Sequence, residues 1–321
     1  VNPVGIDKLQ PELSWKMDGE LEAQKSFQVQ IFKGNKLISD SGTVAGMERK
    51  YILPQPLEEN SEYQWSLKWT LENGKTGEEK AVFSTGISDP DHFKAQYITG
   101  GTLFRKSFSL EEELPEKAVL YFTGLGYAES YVNGEKVTDR VLFPSYTVYE
   151  KTVEYTAADV TEQLKKGENV LGLWVGGHWP LDEKLRAKDV YSEAFYRGRC
   201  VGFAELHLTF KEGKKVILGT DDTWQTSMSP IEISSVFDGE QYDARREQTG
   251  WSLPGFDTNG WKNAYLAKEP LGKLVYSYTP AIRVVEERKP VKIWKQKDSW
   301  IVDFGQNFTG WVRLTMDEKE G

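Results

Sequence analysis

Residues 57–69, with the sequence LEENSEYQWSLKW, carry the pattern that decides the fold of the first part of the chain. From Tyr63 onwards, apolar and polar residues alternate with the period of two that is typical of a half-buried β-strand. A tyrosine that enters a late strand after a polar corner is typical of β-sandwiches in which its hydroxyl bonds back to upstream main chain. The segment therefore predicts a β-sandwich with a tyrosine corner at Tyr63.

The flanking sequence extends this pattern over residues 1–86. Pro11–Met17 and Phe27–Phe32 also alternate apolar and polar residues, and Asn73-Gly74 is typical of a type I′ hairpin turn. We therefore predict a seven-stranded sandwich of fibronectin type III character over residues 1–86. Residues 87–102 are predicted to be a linker, because a proline and three polar residues near its start interrupt the strand pattern.

A second, larger β-domain is predicted over residues 103–277. Ala118–Phe122 and Asn169–Val175 are largely apolar runs of buried-strand length, and Asn133-Gly134 is a further type I′ turn signal. Ala158–Leu164 is the one short helical stretch that the pattern predicts. Many strands with a single helical turn favour a jelly roll.

The last part of the chain, residues 278–321, has a different sequence pattern from the jelly-roll region. Four further strands are predicted there, at Ile282–Glu286, Val291–Trp294, Trp300–Phe304 and Trp311–Thr315. We expect them to be the truncated start of a third β-sandwich. The fold class expected for the whole chain is therefore all-β.

Composition excludes some classes of function. Hydrophobic residues make up 39% and charged residues 28% of the chain, as in an ordinary globular protein. A net charge of −9 argues against nucleic acid as a partner, because phosphate binding needs a basic surface. No apolar run approaches the ~18 residues of a membrane span. Cys200 stands alone, so no intrachain disulfide is expected, and we predict a buried structural cysteine.

Several motifs occur in an order that resembles the N-terminal region of bacterial α-L-rhamnosidases of glycoside hydrolase family 78. Any one of these motifs is weak evidence, but the ordered set covers nearly the whole chain. They are Asn2–Asp7 with Pro11–Trp15, Thr123–Tyr127 with Tyr131–Gly134, Asp221–Trp224, Asp238–Arg245, Gly250-Trp251 with Phe256–Trp261, and Asp303–Trp311.

The resemblance implies a fibronectin-like sandwich, then a galactose-binding-like jelly roll, in a non-catalytic accessory region. Family members invert the anomeric centre of terminal α-L-rhamnose with carboxylates of a downstream (α/α) barrel, which nothing in residues 1–321 matches. No catalytic residue, metal or cofactor is therefore expected in this chain. Its expected partners are a carbohydrate that contains L-rhamnose and the catalytic domain of the same polypeptide. The expected location is secreted or periplasmic, without excluding the cytoplasm.

The loop after the strand that ends in Val175 is one candidate carbohydrate site. Family modules that bind rhamnose through calcium carry Asp or Asn in this loop, whereas this sequence has Gly177 and His178. Imidazole is a poor calcium ligand, so binding without calcium is expected. Trp179 would supply a stacking face and His178 a hydrogen-bonding edge; the alternative is a packed turn.

Further candidates for carbohydrate contact are Tyr127 and Tyr146, with Phe143 and Tyr149 nearby, although core packing explains most aromatics in this chain. Asp238 and Glu240 are expected on the same side of an extended segment, about 7 Å apart. They resemble a catalytic pair, but lining a sugar cleft or a structural role is favoured. Arg245 is expected to pair with Asp243 or Glu240, and Leu181–Tyr191 is predicted to be a solvated helix.

Two other functions remain open from the sequence. One is a stand-alone carbohydrate-binding or interaction module. The other is the N-terminal part of a β-galactosidase-like hydrolase, whose jelly roll also has a strand that ends in Asn-Gly. The segment DFGQNFTGW, residues 303–311, favours the rhamnosidase reading over the second of these.

Overall fold

The computed structural model describes residues 2–17, 23–176, 200–235, 239–268 and 272–315. Regular structure in these residues is β-strand, apart from four 3-10 turns of three residues each. The predicted all-β fold class is confirmed. The chain forms two compact units, residues 1–282 and residues 283–321.

Seven strands build the first sandwich in the part of residues 1–86 that the structure describes. They pair in the order β3-β2-β6-β7, with β4 also on β2, while β1 and β5 form a second, two-stranded sheet. The strands are β1 (Glu12–Ser14), β2 (Gln24–Lys33), β3 (Lys36–Asp40), β4 (Val44–Ala45), β5 (Lys50–Ile52), β6 (Glu62–Leu71) and β7 (Thr76–Ser84).

The tyrosine corner predicted from the sequence is confirmed. Tyr63 is buried, and its hydroxyl accepts a hydrogen bond from the Glu58 amide at 2.9 Å. The type I′ turn expected at Asn73-Gly74 is wrong, because Gly74 has a positive φ of 85° whereas Asn73 does not. A type I′ turn needs positive φ at both central residues.

The larger sandwich follows in the same compact unit. One sheet has the order β21-β8-β15-β10-β13-β22, with β16 also on β15, and the other has the order β12-β11-β14-β9-β17-β20. The strands are β8 (Ile98–Thr99), β9 (Leu103–Leu110), β10 (Lys117–Leu125), β11 (Tyr127–Val132), β12 (Glu135–Lys136), β13 (Thr152–Asp159), β14 (Gly167–Gly176), β15 (Val201–Thr209), β16 (Lys215–Gly219), β17 (Gln225–Ser227), β18 (Ile231–Ser235), β19 (Gly239–Tyr242), β20 (Lys262–Asn263), β21 (Tyr265–Leu266) and β22 (Lys273–Tyr276).

A continuous apolar core fills the space between these two sheets. Phe104, Leu120, Phe122, Leu173 and Trp224 are among its fully buried members. Strands buried on both faces read as continuous apolar runs, which is why β10 and β14 were visible in the sequence.

Local details of the larger sandwich differ from the sequence expectation at one point and agree at another. The helical stretch expected at Ala158–Leu164 is confirmed only as a 3-10 turn at Thr161–Gln163, and its start is wrong because β13 runs to Asp159. The type I′ turn expected at Asn133-Gly134 is confirmed, because both residues have positive φ, 51° and 89°. Ala158 is buried against β10, and this tertiary contact outweighs its helix propensity.

The first sandwich packs on the outer face of the β10–β13–β15 sheet. Ile6 and Ile87 share a buried cluster with Tyr121, Tyr155 and Ala157 of the larger sandwich. The two sandwiches therefore share core residues and are held by more than a flexible connection.

The second compact unit, residues 283–321, contains one described hairpin, β23 (Lys292–Gln296) and β24 (Ser299–Asp303). These agree with two of the four strands expected there. The strands expected at Ile282–Glu286 and Trp311–Thr315 are wrong, because the chain has no regular structure at either place. Large apolar side chains along this unit are exposed, with Val285 at 95% and Trp300 at 66%.

None of the helices in the described ranges is long and apolar enough to cross a lipid bilayer.

Candidate functional site

One end of the larger sandwich carries the described aromatic candidates. There β10 ends at Leu125, the chain turns through Gly126, and β11 begins at Tyr127, which pairs with Gly176 at the end of β14. We call this end the rim, defined by residues 125–127, 143–149 and 176. Tyr127 is half-buried here, and burial raises the pKa of its hydroxyl.

Tyr149 connects residues 143–149 of the rim to the turn at Gly126. Its buried ring packs edge-on against Tyr146 at 5.9 Å between centroids, and its hydroxyl accepts a hydrogen bond from the Gly126 amide at 3.2 Å. Burial raises the pKa of Tyr149 to about 12, so its hydroxyl stays protonated at neutral pH. Tyr146 itself is 52% exposed. The rim thus presents an accessible aromatic ring on a fixed base, which suits stacking on a sugar face.

The hairpin β18–β19 places Glu240 next to the rim. Glu240 is paired with Ser234 across the hairpin, and the Ser234 hydroxyl lies 3.7 Å from the point where a Cβ on Gly176 would be. Gly176 in turn pairs with Tyr127. Glu240 is exposed, so its carboxylate can accept hydrogen bonds from sugar hydroxyls.

The remaining candidates fall outside the described residues. These are His178 and Trp179, which come after Gly176 in the sequence, Asp238, and the helix predicted at Leu181–Tyr191. The structure therefore places Tyr127 and Tyr146 at the rim and Glu240 on the hairpin beside it.

Asp243 and Arg245, which follow Glu240, form a local ion pair rather than a reactive carboxylate pair. Arg245 pairs with Asp243, with its Nε at 2.8 Å from the carboxylate, which confirms one of the two partners expected. Hydrogen bonds from Arg245 lower the pKa of Asp243 below its usual value. Among the described residues, no three His, Cys, Asp or Glu side chains lie close enough together to hold a metal ion.

Cys200 is buried as predicted. Burial raises the pKa of its thiol to about 12, so the thiolate needed for nucleophilic chemistry is not populated at neutral pH.

The buried carboxylate of Glu205 could not be identified from the sequence pattern. Its side chain accepts hydrogen bonds from the amides of Lys94 and Ala95 at 2.5 and 2.6 Å, and it lies 2.6 Å from His207 Nε2. The carboxylate therefore ties residues 94–95 to β15, and it belongs to the architecture rather than to the rim.

An open groove of 370 Å³ lies at the opposite end of the larger sandwich. Apolar side chains form most of its walls, with Glu111, Glu112, Glu113 and Lys214 at its edge. The outer faces of both sheets are covered in part, one by the first sandwich and the other by residues 243–258.

Comparison with known proteins gives two family matches. Residues 113–286 match the alpha-L-rhamnosidase N-terminal domain, and residues 1–89 match the Rha78A-like N-terminal immunoglobulin domain.

Individual relatives agree with these matches. An alpha-L-rhamnosidase of Formosa agariphila is 29% identical over the whole of this chain, which covers 38% of that protein. The structure of an alpha-L-rhamnosidase from Dictyoglumus thermophilum is 30% identical with a TM-score of 0.79, over 97% of this chain and 38% of the other. The structure of an alpha-L-rhamnosidase from Aspergillus terreus is 26% identical with a TM-score of 0.77, and the match covers 95% of this chain and 37% of the other. The chain thus spans a little over a third of the length of these relatives.

Proposed function

The chain belongs to the family of alpha-L-rhamnosidase N-terminal domains, and we propose that it serves as the non-catalytic accessory region of an enzyme that removes terminal α-L-rhamnose from glycans or glycosides. The observation that carries this proposal is the ordered match of two N-terminal family domains over residues 1–89 and 113–286. In this proposal the inverting carboxylates lie in the part of the relatives that this chain does not cover.

The test is incubation of the purified chain with an aryl α-L-rhamnoside. No turnover above buffer is expected, because Glu240 is an exposed carboxylate and Asp243 beside it is paired with arginine. Turnover that is abolished by Glu240→Gln or Asp238→Asn would reject the proposal.

We also propose that the rim is where L-rhamnose binds, without calcium. Tyr146 supplies an exposed stacking ring, and Glu240 supplies an acceptor on the hairpin beside it. His178 and Trp179 follow two and three residues after Gly176 in the sequence and extend the set of candidate contacts. A monosaccharide offers few atoms to a shallow surface, so a dissociation constant on the order of 1 mM is expected.

Calorimetric titration with L-rhamnose, with and without a chelator, tests the rim. Binding should survive the chelator and be lost in Tyr146→Ala and in Trp179→Ala. It should be retained in the control Tyr265→Ala, which removes another exposed ring, 60% accessible, from the edge strand β21. Binding that disappears with the chelator would contradict a metal-free site. Absence of binding in the parent chain would leave the larger sandwich a spacer.

The proposed domain organisation is a sandwich over residues 1–86, a linker over 87–102, a jelly roll over 103–277 and the start of a third sandwich over 278–321. The exposed apolar side chains of residues 283–315 support the last assignment, since a two-stranded hairpin cannot bury them. Amide exchange after Tyr278 should be faster than over residues 103–265. Equal protection of both regions would reject this boundary.

A secreted or periplasmic location is proposed on the ground that large rhamnose-bearing glycans do not enter the cytoplasm. Fractionation of the producing cells tests it, and recovery of the protein only with cytoplasmic markers would reject it.

A further inference from the structure

Residues 243–258, here called the strap, cross the outer face of the six-stranded sheet of the larger sandwich. Four cross-strand neighbours form a row beneath the strap, Tyr131, Gly172, Arg105 and Gln225. The strap contacts these four residues in order along its length, so the row is the surface on which this segment packs.

Trp251 meets the first two members of the row. Its ring packs edge-on against Tyr131 at 5.5 Å, and a Cβ on Gly172 would come within 2.8 Å of the Trp251 ring. A residue larger than glycine at position 172 would therefore displace the strap. At the far end, Gln225 Nε2 donates a hydrogen bond to the Thr258 hydroxyl at 3.2 Å.

Arg105 lies at the centre of the row and is 3% exposed. Its Nη2 donates to the Leu253 carbonyl at 3.1 Å, and its guanidinium lies 5.7 Å from the centre of the Phe256 ring. Its Nε is buried and has no hydrogen-bond partner among the described residues, and burial lowers the pKa of the guanidinium. No carboxylate of the described residues pairs with it within 4.0 Å.

A buried cation without a directly paired anion is costly, and its contacts with the strap, together with the more distant carboxylate of Glu168, compensate for this burial. Lysine cannot reproduce them, because it lacks the planar donor that reaches a carbonyl while stacking on a ring.

The strap is tied to the base of the β18–β19 hairpin. Gln248 Nε2 donates to the Met228 carbonyl at 2.8 Å, and Gln248 Oε1 accepts from Trp261 Nε1 at 2.8 Å. Arg246 forms an ion pair at 2.7 Å with Glu232 of β18. Movement of the strap therefore moves the strands that carry Ser234 and Glu240.

We infer that Arg105 is a positioning residue that holds the strap on the sheet and, through the strap, sets the β18–β19 hairpin against the rim. The binding role of the hairpin rests on the proposed function; the holding of the strap does not. Arg105 reaches no proposed sugar contact itself, so it acts at a distance on Glu240.

Hydrogen exchange measured by mass spectrometry tests the holding of the strap. In Arg105→Met, the opening of residues 239–256 should rise about tenfold, since a charged hydrogen bond and a cation–π contact are lost. Exchange in β10 and β15 should stay unchanged, as should exchange everywhere in the control Arg245→Met. Arg245 is also on the strap, but its side chain is 88% exposed. Equal increases in the strap and in β10 and β15, or no increase in the strap, would overturn the inference.

Titration with L-rhamnose tests the consequence for the rim. In Arg105→Met, affinity should fall in proportion to the fraction of molecules whose strap is open, and the lysine variant Arg105→Lys should not recover the lost affinity. Arg245→Met should bind like the parent. Unchanged affinity in a variant whose strap is open would overturn the positioning role. If the parent chain itself does not bind L-rhamnose, the proposed function of the rim fails, and the exchange experiment alone decides whether Arg105 holds the strap.

Discussion

Gly5→Ala is the sharpest test of how the first sandwich is docked on the larger one. Gly5 has a φ of 68°, in the left-handed region. A Cβ there would lie 2.7 Å from the Ala157 Cβ and 2.9 Å from Tyr121 Cε1, and both atoms belong to the larger sandwich. The substitution therefore strains the backbone and presses on the interface at once.

The two costs can be separated with a second glycine. The left-handed backbone costs an alanine about 1–2 kcal/mol, and overpacking a filled interface costs about 1–3 kcal/mol. Gly42 has a similar φ of 59°, but nothing lies within 4 Å of its Cβ position. Gly42→Ala should lose about 1–2 kcal/mol of unfolding free energy from the backbone alone, whereas Gly5→Ala should lose about 2–5 kcal/mol.

Thermal unfolding measures the difference between the two variants. At about 2–4 °C per kcal/mol for a unit of this size, Gly5→Ala should melt about 2–12 °C below Gly42→Ala. Ala157→Gly added to Gly5→Ala removes one of the two close contacts and should recover part of that gap. Equal melting temperatures for the two single variants would refute the docked geometry.

Three further outcomes follow from buried groups. Tyr63→Phe should lower the free energy of unfolding by about 1–3 kcal/mol, because the Glu58 amide loses its acceptor. Chemical denaturation measures this loss, and a loss no larger than that of the exposed control Tyr265→Phe would contradict the prediction. Cys200 should not react with a thiol reagent at about pH 8 until the chain is denatured, and rapid labelling of the folded chain would show that the thiol is accessible. Folding raises the pKa values of Cys200 and Tyr149 from 9.0 and 10.0 to about 12. Their contribution to stability is therefore fully present below pH 9 and is lost as the pH rises towards 12. Denaturation midpoints measured across this range should fall, and a flat profile would contradict the burial of both groups.

Features that depend on a few neighbouring residues were predictable from the sequence. Alternation marked β2 and β6, because one face of each strand is buried and the other is exposed. Asn133-Gly134 marked its turn, since both residues tolerate positive φ. The pairing of Arg245 with Asp243 was also predictable, because the two are only two residues apart.

The candidate site could be predicted only in part. Aromatic residues near a strand end indicated Tyr127 and Tyr146, but composition could not separate the buried Tyr149 from the exposed Tyr146. That distinction depends on the Gly126 amide, which lies 23 residues from Tyr149 along the chain. The expected Asp238–Glu240 spacing likewise said nothing of Ser234 or Gly176, which place Glu240 beside the rim.

The sequence by itself determined the all-β class, the positions of strands such as β2, β6, β10 and β14, and the burial of Cys200, because strand periodicity and side-chain hydrophobicity are local properties. Only the tertiary structure decided that Ala158 lies in a strand, that β22 pairs in parallel with β13, and that Arg105 is buried beneath the strap. These features depend on partners that are far away in the chain. Their free energies come from burial and hydrogen bonds that exist only after the sheets have assembled.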